Sequence, residues 1–148
     1  MRALLDTNVI VDVLQSREPW CADGQVIFRA AANKQMTGCI TAKEATDIHY
    51  FARRLFTGQE GADAKARLIV GKLFTLFELI DTQAIDCRKA ITSNSPDFED
   101  AVMMESAARS EVDCIVTRNT KDYACSTVSV YSPSEFVKLL FPSEDQDS

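Results

Sequence analysis

The chain has 148 residues, enough for one ordinary domain with a single hydrophobic core. Apolar residues make up 46% and charged residues 26%, a balance that excludes a disordered, collagen-like or repeat protein. No apolar run is long enough to span a bilayer, and the N-terminus offers only Ala3-Leu4-Leu5 before Asp6. We therefore expect neither a membrane segment nor a secretory signal, and we predict a cytoplasmic protein. The formal charge of −6 by itself argues against a nucleic-acid partner.

Predicted strands and helices alternate along the chain. The apolar pattern predicts strands at residues 2–5, 37–40, 113–117 and 127–131. It predicts helices at residues 9–14, 21–36, 41–55, 62–79, 82–93, 97–111 and 134–141, although residues 77–80 also fit a further strand. This alternation favours an α/β fold, with helices on both faces of a short, mostly parallel sheet. We assign residues 1–141 to this single domain and residues 142–148 to an acidic disordered tail.

The five cysteines form no C-x-x-C pair, so neither a disulfide framework nor a zinc site is indicated. We expect all of them to be small buried apolar residues: Cys21, Cys39, Cys87, Cys114 and Cys125.

Acidic residues follow several predicted strands at the point where each strand ends. Asp6 follows the first strand, Glu44 follows the second, and Asp122 lies shortly after the strand at 113–117. Asp97 and Asp100 lie in the first turn of a predicted helix. Because parallel strands present their carboxyl ends at one rim, we expect these five carboxylates to cluster there. Such a cluster suits Mg²⁺ or Mn²⁺, and a site of this kind activates water and binds a phosphodiester.

The distribution of charge removes the objection to a nucleic-acid partner. The tail carries three carboxylates and no base, so residues 1–141 have a net charge of only −3. Without the five clustered carboxylates the remainder of this body has a charge of +2. A cluster loaded with metal therefore lies on a surface that does not repel phosphate.

Each of these acids also has a structural interpretation. Thr41-x-x-Glu44 has the sequence of a capping box, and Asp97 is placed to cap the helix that contains Asp100. Asp6 could belong to a turn and Asp122 to a solvated loop. Four other titratable residues are given no role and are predicted to be solvated helix charges or residues at the edge of the core: Asp12, Asp47, Asp63 and His49.

Four motifs occur in order along the chain. They are LLDTNVI at residues 4–10, Glu44, DFEDA at residues 97–101 and IVTRNTKDY at residues 115–123. In this order they resemble the motifs of the PIN domain family, most closely those of its bacterial VapC-type toxin ribonucleases. The likeness extends from Arg2 to about Phe141 and implies a three-layer α/β/α sandwich.

The resemblance also implies Mg²⁺- or Mn²⁺-dependent cleavage of single-stranded RNA. It assigns metal-binding acids to Asp6, Glu44 and Asp100 and places the fourth position at Asn119 or Asp122. Asn119 departs from the strictest pattern, in which an aspartate often stands there, and it brings no charge. The number of metal ions is therefore left open.

We combine these assignments into one predicted site. The catalytic residues are Asp6, Glu44, Asp100 and Asp122, and the metal ligands are the same four together with Asp97 and Asn119. Asn8 and Thr117 are predicted to orient the carboxylates. Cations predicted to meet the RNA backbone are Arg118, Lys121 and Lys43, with Arg53 and Arg54 as further candidates.

The prediction is thus an endoribonuclease, the toxin of a toxin–antitoxin pair with a cognate antitoxin as its partner. The alternative is a non-catalytic PIN-like module for binding or assembly, which we would expect to have lost several of the acids. A phosphatase-like hydrolase would need a second acid in a D-x-D-x-T motif, and Asp6-Thr7-Asn8 lacks it.

We also predict a homodimer. The region from residue 41 to 79 has more apolar side chains than two helices packed over a small sheet would need. These side chains are Tyr50, Phe51, Leu55, Phe56, Leu68, Phe74 and Phe77.

Overall fold

The computed structural model describes residues 1–143 and contains a five-stranded sheet. The strands are β1 (Arg2–Leu5), β2 (Thr37–Thr41), β3 (Glu78–Ile80), β4 (Cys114–Val116) and β5 (Ser129–Tyr131). Their order is β3-β2-β1-β4-β5, and every neighbouring pair is parallel. The sheet is therefore wholly parallel, where the sequence predicted a mostly parallel one.

Within residues 1–143, seven helices cover the two faces of this sheet. They are α1 (Thr7–Leu14), α2 (Cys21–Ala32), α3 (Ala42–Arg54), α4 (Ala62–Leu76), α5 (Ala84–Ala90), α6 (Phe98–Arg109) and α7 (Pro133–Leu140). A 3₁₀ turn, Thr120–Tyr123, follows β4. Helices α1 to α4 and α7 share one apolar core, whereas α6 and the 3₁₀ turn enclose a second core with the opposite face of the sheet. The predicted α/β/α sandwich is confirmed.

Strand β1 is buried on both faces because it lies at the centre of the sheet. Ala3 and Leu5 pack into the core beneath α1 and α2, and Leu4 packs on the opposite side against Ile115 and α6. Successive side chains of a strand point to opposite faces, so a central strand has a continuous apolar run. That run ends at Asp6, the first residue beyond the sheet.

The helix predicted over residues 62–79 ends at Leu76, and the chain then forms β3. Phe77 is almost fully buried and packs edge-on against Phe28, with 5.0 Å between the ring centroids. Gly38 permits this close packing, since a Cβ at that position would lie 2.6 Å from the Phe77 ring. The alternative assignment of residues 77–80 as a strand is therefore correct, and Phe77 does not belong to an exposed patch.

Three predictions about single residues are wrong. Cys87 and Cys125 are exposed rather than buried. Asp12 is buried in α1, with only 1% of its surface accessible, because it forms an ion pair described below.

Residues 144–148 of the predicted acidic tail lie outside the described residues. Within residues 1–143, no helix combines the length and the apolar character needed to cross a membrane.

Candidate active site

The candidate site lies beyond the carboxyl ends of β1 and β4. The strand order reverses between these two strands, because β2 and β3 lie on one side of β1 while β4 and β5 lie on the other. In an open parallel sheet a crevice forms at this point, outside the strand ends. Asp6 follows β1 and Thr117 follows β4, so both residues lie at this edge of the sheet, where Asp6 lines the crevice. The Asp6 amide donates to the Val116 carbonyl at 2.9 Å and joins the two strand ends.

The Asp6 carboxylate is held in place by three donors. Its Oδ1 accepts from the Thr7 amide at 2.7 Å, so Asp6 caps α1. Its Oδ2 accepts from the Thr117 hydroxyl at 2.7 Å and from the Asn8 side-chain amide at 3.3 Å. The structure thus places Asn8 and Thr117 where residues that orient this carboxylate would lie. Thr117 also accepts from the Asn119 amide at 3.0 Å and fixes the loop after β4.

Five of the six predicted ligands line one cleft of about 320 Å³. They are Asp6, Asp97, Asp100, Asn119 and Asp122. The cleft is also lined by residues for which no role there was predicted: Thr7, Val11, Arg17, Phe51 and Glu99. Asn8, which was predicted to orient the carboxylates, lines it as well. Of the five carboxylates that we expected to share one rim, all but Glu44 line this cleft.

Glu44 does not line this cleft but lies beside Asp6, fully buried. Its Oε1 accepts from the Thr41 amide at 2.9 Å, and the Thr41 hydroxyl accepts from the Glu44 amide at 3.1 Å. This is the capping box that the sequence predicted as an alternative role. The Oε2 atom accepts from the Thr7 hydroxyl at 3.3 Å, so Thr7 links Glu44 to the helix that Asp6 caps. The two interpretations of Glu44 are therefore compatible.

Asp97 likewise has a clear structural role. Its Oδ1 accepts from the Asp100 amide at 2.9 Å and caps α6. It lines the cleft as well, so the cap does not remove it from the set of acids.

Tyr123 is a site residue that the sequence did not indicate. Its side chain is buried, and its hydroxyl donates to Asp100 Oδ1 at 3.2 Å and also lies close to Asp6. Burial, followed by the charges of Asp6 and Asp100, raises the pKa of this phenol above its ordinary value. The hydroxyl therefore stays protonated and donates to the carboxylates. No spacing rule could identify it, because its position depends on how the 3₁₀ turn packs against α6.

Within residues 1–143, Asp6 and Asp100 form no ion pair with a basic side chain. Burial raises the pKa of Asp6 even though its hydrogen bonds act in the opposite direction. Burial, and then repulsion from Asp6 and Asp97, raises the pKa of Asp100 to about 6. Burial and the Asp6 charge raise the pKa of Glu44 well above its usual range.

The buried carboxylate of Asp86 shows how a basic partner changes the pKa of an acid. Burial acts to raise the pKa of Asp86, but hydrogen bonds led by those from Arg109 bring it below the ordinary value. Asp86 Oδ1 accepts from Arg109 Nε at 2.9 Å. Asp6 and Asp100 have no such partner within the described residues.

A divalent cation fits this donor set by its chemistry. Within residues 1–143, no three His, Cys, Asp or Glu side chains are already gathered at metal-ligating distances. The fit rests on carboxylate and amide oxygens that share one open cleft, with raised pKa values for Asp6 and Asp100 and no basic partner. Hard cations prefer such oxygens, and their charge would relieve the repulsion.

The cations assigned to the RNA backbone have different surroundings. Arg118 forms an ion pair with Asp12, in which Nε lies 2.7 Å from Oδ2 and Nη2 donates to Oδ1 at 3.1 Å. Its guanidinium lies 3.9 Å from the centroid of the Trp20 ring. Arg118 therefore interacts with Asp12 and Trp20, whereas we expected it to contact an RNA phosphate.

Lys43 is also engaged, because it pairs with Asp47 and Glu99. Lys121 is exposed and has no ion-pair partner in the part of the chain that the structure describes. Arg17 is the basic residue that lines the acidic cleft. From the sequence we predicted only that Arg17 belongs to a loop. The residues around it do not indicate that this loop returns to the carboxyl ends of the strands.

A model of the PIN domain family matches residues 2–121 of the chain. Several solved structures are similar to it at low sequence identity. A toxin–antitoxin complex from Klebsiella pneumoniae is 19% identical with a TM-score of 0.63, over 88% of this chain and 97% of that chain. FitAcB from Neisseria gonorrhoeae is 16% identical with a TM-score of 0.63, over 89% and 98%.

Mycobacterium tuberculosis VapC20, described as a toxin that cleaves the sarcin–ricin loop, is 14% identical to the chain. Its TM-score is 0.62, and the match covers 86% of this chain and 98% of VapC20. At these identities the likeness shows a common fold. No curated protein matches the chain.

Proposed function

The chain belongs to the PIN domain family, and from this premise we propose that it is an endoribonuclease that cleaves single-stranded RNA with Mg²⁺ or Mn²⁺. PIN domain toxins of the VapC type are generally ribonucleases. The observation that carries the proposal is the pair Asp6 and Asp100, which line one cleft and form no ion pair within the described residues. The Tyr123 hydroxyl donates to Asp100 at 3.2 Å and lies close to Asp6. The same acids favour a nuclease over a non-catalytic module, which has no need for uncompensated carboxylates.

The cleft residues would have different roles in such a site. Asp6 and Asp100 would hold the cation, with Asp97, Asn119 and Asp122 as further oxygen donors at the cleft and Glu44 behind Asp6. A bound divalent cation supplies a Lewis acid for the phosphoryl oxygen and lowers the pKa of water. Thr117 and Asn8 hold the Asp6 carboxylate in a fixed orientation, and Tyr123 does the same for Asp100. At pH 7 Asp100 is largely ionised, because its pKa is about 6.

We further propose a cognate antitoxin as the partner and the cytoplasm as the place of action. The support is the similarity in fold to the toxin of the Klebsiella complex and to FitAcB. A small protein encoded next to this chain should copurify with it and suppress its cleavage of RNA. An adjacent product that neither binds nor inhibits would contradict this assignment.

The experiment that tests the proposed activity uses purified protein, total bacterial RNA and a degenerate single-stranded RNA library. We expect cleavage with Mg²⁺ or Mn²⁺, no cleavage in EDTA, and none of a perfect duplex control. If neither RNA pool is cleaved with either metal, the proposed activity is wrong.

Substitution Asp100→Asn tests the electrostatics of the cluster through stability. Asp100 has a pKa of about 6 in the folded protein and 3.8 as an ordinary aspartate, so folding favours its protonated form. This contribution to stability is complete below about pH 3.8, is lost as the pH rises to about 6, and is constant above. Without metal at pH 7, the variant should be more stable than wild type by about 1 kcal/mol, a value reduced for partial exposure. Near pH 4 the difference should disappear.

Thermal melts of wild type and variant in EDTA at pH 4 and 7 measure this effect. Mg²⁺ or Mn²⁺ at a hundred times its Kd should stabilise wild type by about 2.7 kcal/mol, with Mn²⁺ acting at lower concentration. The variant should respond less, while Asp23→Asn on α2, at a carboxylate with no ion pair to the described residues, should behave as wild type. If Asp100→Asn is no more stable than wild type, and neither metal raises the melting temperature of wild type, then the acids do not form a cluster.

We retain the homodimer as a proposal, with a smaller apolar surface than the sequence suggested. Phe77 is buried in the core, and Phe51 and Phe56 are half-buried. Four side chains of the predicted set remain exposed: Tyr50, Leu55, Leu68 and Phe74. The dimer surface that we propose consists of Leu55, Leu68 and Phe74, because Tyr50 lines a separate cleft at the end of α3. Monomers rarely leave large apolar patches in water.

Light scattering at tens of micromolar should give about twice the chain mass of 16.4 kDa. Leu68→Glu should yield monomers with an unchanged circular dichroism spectrum, because Leu68 is 64% exposed and contributes little to the core. The matched control is Ile91→Glu, at an exposed site beside α5. A wild-type mass of one chain would exclude the dimer.

A further inference from the structure

A line of aromatic and basic side chains leads away from the acidic cleft along α3. We call it the aromatic–basic strip and define it as Arg17, Tyr50, Phe51, Arg53 and Arg54. Phe51 and Arg17 line the acidic cleft, whereas Tyr50, Arg53 and Arg54 line a second cleft at the end of α3. The rings of Tyr50 and Phe51 touch edge to face, with centroids 5.4 Å apart and planes at 81°. The two clefts therefore adjoin at this pair of rings.

Each ring of the strip has a guanidinium near its face. The Arg17 guanidinium lies 5.7 Å from the centroid of Phe51, and that of Arg54 lies 5.8 Å from the centroid of Tyr50. Tyr50 is 59% exposed, so most of its surface is open to a ligand. The strip thus presents alternating π surfaces and positive charges to solvent.

The positive charges of the strip are available to an anion. Arg53 and Arg54 form no ion pair with any of the described residues. Arg17 approaches Asp12 only at 3.9 Å, whereas Asp12 is bound at 2.7 Å by Arg118. In a chain with a net charge of −6, these three guanidiniums lie next to the concentration of carboxylates.

We propose that the aromatic–basic strip binds the single-stranded RNA that extends from the acidic cleft. Bases would stack on Tyr50 and Phe51, and phosphates would lie against Arg17, Arg53 and Arg54. Proteins bind single strands by this combination of stacking surfaces and a basic groove, which tolerates most sequences. The inference rests on the proposed ribonuclease function, since it assigns the substrate strand to the same cleft.

Charge and exposure favour a nucleic acid over a protein segment as the occupant. An apolar protein segment would cover the rings but would bury unpaired guanidiniums, which is costly. A polyanion with flat bases satisfies both kinds of side chain at once.

The test is the affinity of the full chain for a labelled single-stranded RNA dodecamer, measured by fluorescence anisotropy in EDTA so that no cleavage occurs. Tyr50→Ala should weaken binding by about tenfold, and Tyr50→Phe should bind within about twofold of wild type, because only the ring face is needed. Arg54→Gln should weaken binding and reduce the salt dependence by about 0.7 in log–log slope. Arg88→Gln, which removes an exposed charge from α5, is the matched control and should change neither quantity.

Cleavage kinetics with metal give a second measurement. Tyr50→Ala should raise KM and leave kcat near its wild-type value, because Tyr50 lines the second cleft and not the acidic cleft. Thermal melts of each variant check folding. Phe51→Leu removes the second aromatic ring of the strip while keeping a similar apolar volume, and it should also weaken RNA binding.

The failure of this inference is distinguishable from the failure of the proposed function. If wild type cleaves RNA while Tyr50→Ala and Arg54→Gln bind and cleave as wild type, the strip assignment alone is wrong. If wild type cleaves no RNA, the proposed function fails, and the affinities in EDTA still decide whether the strip binds RNA. Variants that lose a copurifying protein but keep RNA affinity would also overturn the assignment.

Discussion

Asp6→Asn is expected to reduce RNA cleavage by about a hundredfold or more and to leave the fold intact. Asp6 lies at the strand reversal of the sheet and faces the cleft with Asp100. Asparagine keeps the shape of the side chain but removes the charge that would hold a divalent cation. The interactions of such a cation are worth several kcal/mol, and each 1.4 kcal/mol corresponds to a factor of ten in rate.

The structure also predicts that the Asp6→Asn variant folds. The Asn oxygen can still accept from the Thr7 amide, as Asp6 Oδ1 does at 2.7 Å, so the cap of α1 is retained. Burial raises the pKa of Asp6, which means that its charge is unfavourable in the folded protein without metal. In that orientation the Asn Nδ2 replaces Oδ2, so the hydrogen bonds that Thr117 and Asn8 donate to Oδ2 are lost. Removal of the unfavourable buried charge offsets this loss.

Cleavage of single-stranded RNA with Mn²⁺ and thermal melts of the same preparations measure both effects. Asp23→Asn is the matched control, because it removes a carboxylate that lies on α2, outside the acidic cleft, and that forms no ion pair with the described residues. Activity of Asp6→Asn within a few-fold of wild type would remove Asp6 from the catalytic centre.

The sequence was sufficient to predict the layers of the fold and most of the acids that line the cleft. Apolar periodicity marks β1 and α6 well, and parallel strands bring their carboxyl ends to one rim whatever the details of packing. Asp6, Asp100 and Asp122 could be placed together on that basis alone. The boundary between α4 and β3 was open because Phe77 fits either element until its contact with Phe28 is known.

Other site residues depend on contacts between distant segments. Tyr123 reaches Asp100 only because the 3₁₀ turn packs against α6, and Arg17 reaches the cleft through a loop after α1. From the sequence we predicted a solvated charge at Asp12 and an RNA contact at Arg118. In the structure these residues, which are 106 positions apart in the chain, form one ion pair. Side-chain pairing at this separation has no local signal, because the two segments meet only after the sheet has formed.

This ion pair leads to the second large expected effect, that of Arg118→Ala on stability. The substitution should lower the free energy of unfolding by about 3–5 kcal/mol at pH 7, because it leaves the buried Asp12 carboxylate without its partner. Arg17, at 3.9 Å, compensates only in part. The loss of the contact with the Trp20 ring adds to the cost.

Asp12 provides the control and the sign of the pH dependence. Burial already raises the pKa of Asp12 despite Arg118, and removal of Arg118 should raise it further. Stability from a group with a raised pKa is present at low pH and lost as the pH rises, so the deficit of Arg118→Ala should shrink towards pH 4. Asp12→Asn combined with Arg118→Ala should recover much of the loss at pH 7, since no buried charge remains. Urea unfolding of the two variants and wild type at pH 4 and 7 measures these differences. If Arg118→Ala unfolds within 1 kcal/mol of wild type but raises KM for RNA, then Arg118 is the backbone contact that the sequence predicted, and the ion pair has no structural role.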